Sequence, residues 1–180
     1  MPEIRAALPS LLCLVLLSAC QRPASQEARG IDADNPLEMT ARERGVVRPE
    51  TATPTGVFER SHDLGRDAMC AVPDGVGRWR FALTASYGRG LSCMASGTIV
   101  RDGDGWRMRF AGAEGCETLV HEEEDELRLP GSLPSQCDNL CPARASLSGL
   151  FLPRASWSEA DAKRLQMADK RGNVFRPCAT

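Results

Sequence analysis

Apolar and polar residues alternate along the middle of the chain. Between Arg78 and Tyr87 every second residue is apolar, and most residues between them are polar. A period of two is typical of a half-buried β-strand. The predicted inner face of this strand carries Trp79, Phe81, Leu83, Ala85 and Tyr87. Gly88-Arg89-Gly90 then predicts a turn into a second strand over residues 91–100.

The same alternation returns after the turn residues 101–105. We expect Trp106, Met108 and Phe110 to face inward and Arg107 and Arg109 to face outward. Residues 116–121, 126–129 and 145–152 are further strand candidates. Most of these strands follow one another at the ~8 to 12 residue spacing of an antiparallel sandwich or barrel. The predicted fold is therefore all-β, an antiparallel meander of about 6 to 8 strands that closes into a small barrel or sandwich.

Three segments predict helices. Asn35-Pro36-Leu37-Glu38 combines a capping residue, an early proline and an acid, and Gly45 would end this short helix. Residues 57–62 suggest a second helical stretch. A third helix begins at Ser158-Glu159-Ala160-Asp161 and would end at Gly172. Leu165 and Ala168 share one of its faces, so we expect this C-terminal helix to pack across one end of the sheet.

The first 19 residues have the features of a signal peptide. An apolar run from Ala6 to Leu17 follows Arg5 and is too short for the ~30 Å core of a bilayer. Leu17-Ser18-Ala19-Cys20 resembles the lipobox of bacterial lipoproteins. That resemblance implies cleavage before Cys20, lipidation of its thiol with acyl chains such as palmitate, and a membrane anchor. Gln21 in the next position favours the outer membrane, facing the periplasm.

The sequence divides into three parts. Residues 1–19 are the predicted signal peptide, and residues 20–55 are the predicted lipid anchor and a flexible tether. This second part is polar, contains proline and has no Trp, Tyr or Phe, so it lacks the apolar surface that ordering requires. Residues 56–180 form the predicted β domain.

Six cysteines remain for the domain once Cys13 is cleaved off and Cys20 is acylated. An even number in an oxidising compartment predicts disulfides, and fifteen connectivities are possible. We favour Cys93 with Cys116, on adjacent strand segments, and Cys70 with Cys178, which would tie the ends of the domain. Cys137 would then pair with Cys141. The alternative for Cys137-x-x-x-Cys141 is a metal site, which the absence of a nearby His argues against.

Several of these features together resemble the alkaline-proteinase-inhibitor type of bacterial metalloprotease inhibitor. They are the Gly77-Arg78-Trp79 strand, the Gly105-Trp106 strand between Cys93 and Cys116, and the later segments 125–129 and 150–154. The resemblance implies a β-barrel, a disulfide between the two cysteines and, in some members, attachment to the outer membrane. The chain also resembles small lipoproteins of unknown function from alphaproteobacteria, with which it shares segments such as Leu91-Ser92-Cys93 and Arg144-Ala145-Ser146-Leu147. No residue here matches the inhibitory trunk of the inhibitor family.

Charge and motifs narrow the classes of function. The chain has 22 Lys and Arg against 24 Asp and Glu, a formal net charge of −2, which argues against nucleic acid as a partner. No hydrolase signature is present, no cofactor or metal is expected, and Ser61-His62-Asp63 are neighbours in sequence rather than a facing triad. We expect a non-enzymatic, lipid-anchored module that binds an envelope or secreted protein and inhibits a protease. The alternatives are an assembly lipoprotein and, more distantly, a hydrolase using His62 or His121.

Overall fold

Eight antiparallel strands close into a barrel in the computed structural model, which describes residues 35–49, 52–169 and 171–179. Each strand pairs with the next along the chain, and the last pairs with the first, so the predicted all-β meander is confirmed as a barrel. The predicted signal peptide, Cys20 and residues 21–34 lie outside the described residues. The strands are β1 (Gly56–His62), β2 (Gly65–Pro73), β3 (Arg78–Ser86), β4 (Ser92–Asp102), β5 (Gly105–Phe110), β6 (Glu117–Glu123), β7 (Glu126–Arg128) and β8 (Phe151–Ser156).

Aromatic side chains from β3 and β5 fill the barrel as the alternation predicted. Phe81 meets Phe110 edge to face with 5.5 Å between ring centroids, and Trp79 meets Trp106 in the same way at 5.4 Å. Such pairs add about 0.5 to 1.5 kcal/mol beyond the area they bury. The long β7–β8 connection contributes buried Leu147 to the same core.

Two predicted elements are wrong, and one strand was missed. Residues 57–62 belong to strand β1 rather than a helix, because they pair along their whole length with β2. Residues 145–150 belong to the β7–β8 connection, with a turn at residues 148–149, and β8 begins only at Phe151. β2 carries a continuous buried run from Asp67 to Val72 without alternation.

A second apolar layer covers part of the outside of the barrel and explains the run in β2. Helix α1 (Pro36–Glu43) precedes the barrel as predicted, and helix α2 (Glu159–Arg164) follows it. The second helix ends at Arg164, well before Gly172, and gives way to a hairpin of β9 (Met167–Ala168) and β10 (Val174–Phe175). Its apolar residues pack on the outer faces of β1 and β2 rather than across one end, because Val57, Cys70 and Val72 form an apolar patch there.

Three disulfides join the six domain cysteines. Cys70 pairs with Cys178, as we favoured. The other two pairs correct our prediction: Cys93 pairs with Cys141, and Cys116 pairs with Cys137. β5 lies between β4 and β6, so Cys93 and Cys116 are not on adjacent strands. The β7–β8 connection supplies a partner to each of them instead, which fastens this loop to the barrel.

At the opposite end of the barrel, buried Arg154 fastens the residues that precede β1. Its guanidinium donates to the carbonyl oxygens of Thr55 at 2.7 Å and Thr53 at 3.1 Å, and to the Glu122 carboxylate at 2.6 Å. The rings of Phe58 and Trp157 lie 4.0 and 3.6 Å from its central carbon. Residues 53–55, part of the predicted tether, therefore contact the barrel directly.

Burial lowers the pKa of the Arg154 guanidinium from its ordinary value, and the hydrogen bond and charge of Glu122 oppose that change.

The close approach of strands β1 and β8, where the barrel closes, requires Gly56. Its φ is +128°, and an added Cβ would lie 2.0 Å from the carbonyl oxygen of Ser156.

Candidate functional site

Packed side chains occupy the inside of the barrel, so the candidate binding site is on its outer surface. Nineteen buried residues from all eight strands and the loops form one core cluster. Barrels of this size are wide enough for side chains or for one small ligand, and here the side chains take the space.

The outer surface of β3 and β4 forms the floor of a groove that the second layer leaves uncovered. Its outward-facing residues are small or flexible: Arg80, Ala82, Thr84, Met94, Ser96 and Thr98. Met167, Phe175 and Pro177 form one wall, and the loop residues Ala111, Gly112, Asn139 and Leu140 line the same cavity, which has a volume of about 650 Å³.

A second cavity of about 610 Å³ continues the same floor towards the β3–β4 turn. It shares Met167 with the first cavity, and its floor includes Thr84, Ser86 and Ser92. Arg89 stands at the turn beyond it. We call the two cavities together the external groove.

The arginines on the outside of the barrel differ in whether an ion pair balances their positive charge. The outward-facing arginines at 78, 80, 107 and 109 do not form one cationic patch, because β4 lies between β3 and β5. Three of them also form ion pairs, Arg78 with Asp74, Arg107 with Asp102 and Arg109 with Glu117. These outer faces are therefore locally neutral.

Arg80 is the exception among those four residues. Its guanidinium donates to the carbonyl oxygens of Pro177 and Cys178, at 3.2 Å each. These bonds hold the C-terminal wall of the external groove against its floor. Within the described part of the chain neither Arg80 nor Arg89 forms an ion pair.

A separate polar cluster lies at the barrel end near the β1–β2 turn. Asp67 is only 1% exposed, and its carboxylate contacts Arg60 at 2.5 Å and His62 at 3.1 Å. The backbone N–H of Ser86 donates to the same carboxylate at 2.8 Å. Burial, the largest influence, raises the pKa of Asp67, but the backbone N–H of Ser86, the neighbouring His62 and the guanidinium of Arg60 together lower it below its ordinary value.

This cluster contains His62, one of the two histidines on which the hydrolase alternative depends. The carboxylate that His62 contacts is that of Asp67 rather than Asp63. The Nδ1 atom of His62 accepts a hydrogen bond from the backbone N–H of Leu64 at 3.2 Å. Ser61 is exposed on the opposite face of β1 from His62, so the three neighbours do not face one another. His121 lies on β6, opposite Arg128 in the register.

We predict that Asp67→Asn lowers the free energy of unfolding at pH 7 by about 2 kcal/mol, because Arg60 loses a charge-assisted hydrogen bond. The folded-state pKa of Asp67 is lowered. Its stabilising contribution is therefore complete above the unfolded pKa of about 3.9 and is lost as the pH falls through the folded value. Urea unfolding across pH should show the wild type and the variant converging below about pH 4.

The matched control is Asp63→Asn, a neighbouring exposed carboxylate, which should change stability by less than about 0.5 kcal/mol. A gap between wild type and Asp67→Asn that stays constant down to about pH 2.5 would contradict the role of the Asp67 charge.

Similarity to known proteins does not indicate a function for this site. Comparisons with protein families, curated proteins and solved structures found no match to this chain. Across residues 35–49, 52–169 and 171–179, no three His, Cys, Asp or Glu residues are placed to hold a metal ion. Nor does any helix in these ranges have the length and apolar character needed to span a membrane.

Neither the groove nor the role of Asp67 was predicted from the sequence. Gly65-Arg66-Asp67 reads as a polar turn, although the buried run behind it marks β2. An unbroken apolar run of this length is the available signal for a strand buried on both faces.

Proposed function

We propose that this protein is a lipid-anchored binding module of the bacterial cell envelope, held through Cys20 at the outer membrane and facing the periplasm. In this proposal its barrel binds another protein and performs no chemistry. Three disulfides among the described cysteines support an oxidising compartment. The resemblance of residues 17–20 to a lipobox supports the anchor.

The observation that carries the binding role is the external groove beside a filled interior. A packed barrel has no room for a carried ligand, whereas the groove offers two adjoining cavities of about 650 and 610 Å³. Its floor is a pleated strand surface, and its walls combine apolar Met167, Phe175 and Leu140 with backbone and hydroxyl groups. Such a mixture of apolar walls and polar groups suits a segment of polypeptide.

Inhibition of a protease is the specific form of this proposal. It rests on the resemblance of the Gly77-Arg78-Trp79 and Gly105-Trp106 strands to those of metalloprotease inhibitors. The Cys93–Cys141 and Cys116–Cys137 pairs depart from the disulfide that this resemblance implies. An inhibitory role would therefore use a surface of this chain's own, with occlusion of the protease as the mechanism.

We expect a photo-reactive benzophenone side chain at Met94, on the groove floor, to cross-link the full-length protein to a partner in intact cells. The same probe at Val100, an exposed outward residue of the same strand outside the groove, should not. Ser96→Trp should weaken the association about tenfold by filling the groove, and Val100→Trp should leave it unchanged.

Equal cross-linking from both positions would contradict binding in the groove. Titration of the purified chain against secreted zinc metalloproteases and lysozyme then tests inhibition. Loss of enzyme activity at stoichiometric ratios supports it, and indifference at all ratios removes the inhibitory form of the proposal.

A further inference from the structure

Building on the function proposed above, we propose that the external groove binds an acidic, extended polypeptide segment, with Arg80 and Arg89 contacting its carboxylates at the two ends of the groove. Four observations support this assignment: arginines without an ion pair, a net positive charge of the lining, the length of the floor, and the charge on the far side of the barrel.

The two end arginines are uncompensated in the part of the chain that the structure describes. Neither Arg80 nor Arg89 forms an ion pair there, whereas Arg66, which also lines the groove, is paired with Glu59. Arg80 bonds only to carbonyl oxygens, so its positive charge is not cancelled. Guanidinium groups with free donors bind carboxylates strongly because they present a planar fork.

Asp169 is the carboxylate among the described lining residues, and it is engaged elsewhere. It accepts hydrogen bonds from the backbone N–H groups of Arg171 and Asn173, at 2.7 and 2.9 Å, and from the amide of Asn173. These bonds close the β9–β10 turn. These donors are uncharged, so Asp169 keeps its negative charge. The described lining also includes unpaired Arg80 and Arg89, and two cations against one carboxylate leave the groove with a net positive charge.

The floor has the dimensions of an extended peptide. From Arg80 to Ser86 the strand spans six residue steps, or about 20 Å at ~3.4 Å per residue. The hydroxyl groups along this floor, on Thr84, Ser92, Ser96 and Thr98, can bond to peptide groups. Met167 and Phe175 can contact apolar side chains between the acidic ones.

The far side of the barrel carries unpaired negative charge. At the end of the β6–β7 hairpin, Glu123 and Glu124 form no ion pair among the described residues, whereas Glu122, Asp125 and Glu126 pair with Arg154, Arg48 and Arg128. Strand β7 lies across the ring from β3. An acidic ligand is repelled by that hairpin and attracted to the groove, which raises the rate of productive encounter at low ionic strength.

The test uses the full-length chain in detergent and three labelled eight-residue peptides. The first contains three glutamates and two leucines, the second has glutamines in place of the glutamates, and the third has lysines. We expect the glutamate peptide to bind at least about tenfold more tightly than the glutamine peptide at low salt. Raising the ionic strength to about 0.5 M should reduce this preference.

Two exposed arginines give a matched pair of variants. Arg89 and Arg144 both have positive φ, 51° and 73°, and Asn tolerates this conformation better than most residues do. Neither forms an ion pair within the described residues, but only Arg89 borders the groove. Arg89→Asn should weaken the glutamate peptide about fivefold, while Arg144→Asn should leave its affinity unchanged.

The inference is overturned if glutamate and glutamine peptides bind equally, if neither binds at 1 mM, a concentration on the order of the weakest specific affinities, or if the two arginine variants behave alike. It is also overturned if a single-stranded octanucleotide binds as tightly as the glutamate peptide and loses affinity in Arg89→Asn. Specific cross-linking from Met94 together with charge-independent binding would keep the proposed function and remove only this inference.

Discussion

Replacing Arg154 by Met should lower the free energy of unfolding by about 3 to 5 kcal/mol, one of the two largest effects that we expect in this protein. The Arg154 side chain is 1% exposed and that of Glu122 is 8% exposed. Removing the guanidinium leaves this carboxylate buried without its partner. It also removes the hydrogen-bond donors to the carbonyl oxygens of Thr53 and Thr55. The contacts of the guanidinium with the rings of Phe58 and Trp157 are lost as well.

Chemical denaturation of matched variants separates these contributions. Arg109→Met removes an exposed arginine that is likewise paired with a glutamate, and it should cost less than about 1 kcal/mol. Arg154→Lys keeps the charge without the planar fork and should fall between the two. Adding Glu122→Gln to Arg154→Met should recover part of the loss. Similar losses for Arg154→Met and Arg109→Met would contradict the structural role of the buried arginine.

The strands that could be predicted from the sequence are those with one face on the core and one face in water. β3 and β5 belong to this class, and their inner residues lie where the alternation places them. β2 is buried on both faces because α2 and the C-terminal segment cover its outside. Alternation disappears under these conditions, so the periodic signal on which strand prediction depends is absent.

Cysteine pairing could not be derived from spacing. The partners of Cys93 and Cys116 come from the β7–β8 connection, whose path is determined by buried Leu147 and Leu150 rather than by a local pattern. The pair between Cys70 and Cys178 could be predicted because it joins the two ends of the domain, and this prediction requires no knowledge of the loop paths.

The external groove could not be predicted because its parts lie far apart in the sequence. Its floor comes from β3 and β4, one wall from residues 167–177, and further lining from residues 111–112 and 139–140. Gly88-Arg89-Gly90 can be recognised as a turn from its glycines. That Arg89 borders a groove depends on where the β9–β10 hairpin settles, and the Cys70–Cys178 disulfide determines this position.

Removing Cys70–Cys178 should destabilise the protein more than removing either of the other disulfides. The sequence separations of the three pairs are 108, 48 and 21 residues. A cross-link restricts the unfolded chain more when it closes a longer loop, which corresponds to about 5, 4 and 3 kcal/mol for the three pairs. Guanidinium unfolding of the three double Cys→Ala variants, without reductant, should reproduce this order. A largest loss for Cys116/Cys137 would show that native packing outweighs loop size.

The Cys70/Cys178 double variant should also lose the partner of the external groove before it loses the barrel. Cys178 holds the C-terminal wall on β2, and Arg80 bonds to the carbonyl oxygens of Pro177 and Cys178 beside it. Without the disulfide, two hydrogen bonds of 3.2 Å and the apolar contacts of Met167 must hold this wall. Hydrogen exchange at the amides of residues 174–176 and 178 should therefore rise while the β3–β4 amides stay protected. The Cys116/Cys137 variant is the control, because its disulfide lies in the β7–β8 connection and it should keep this wall protected.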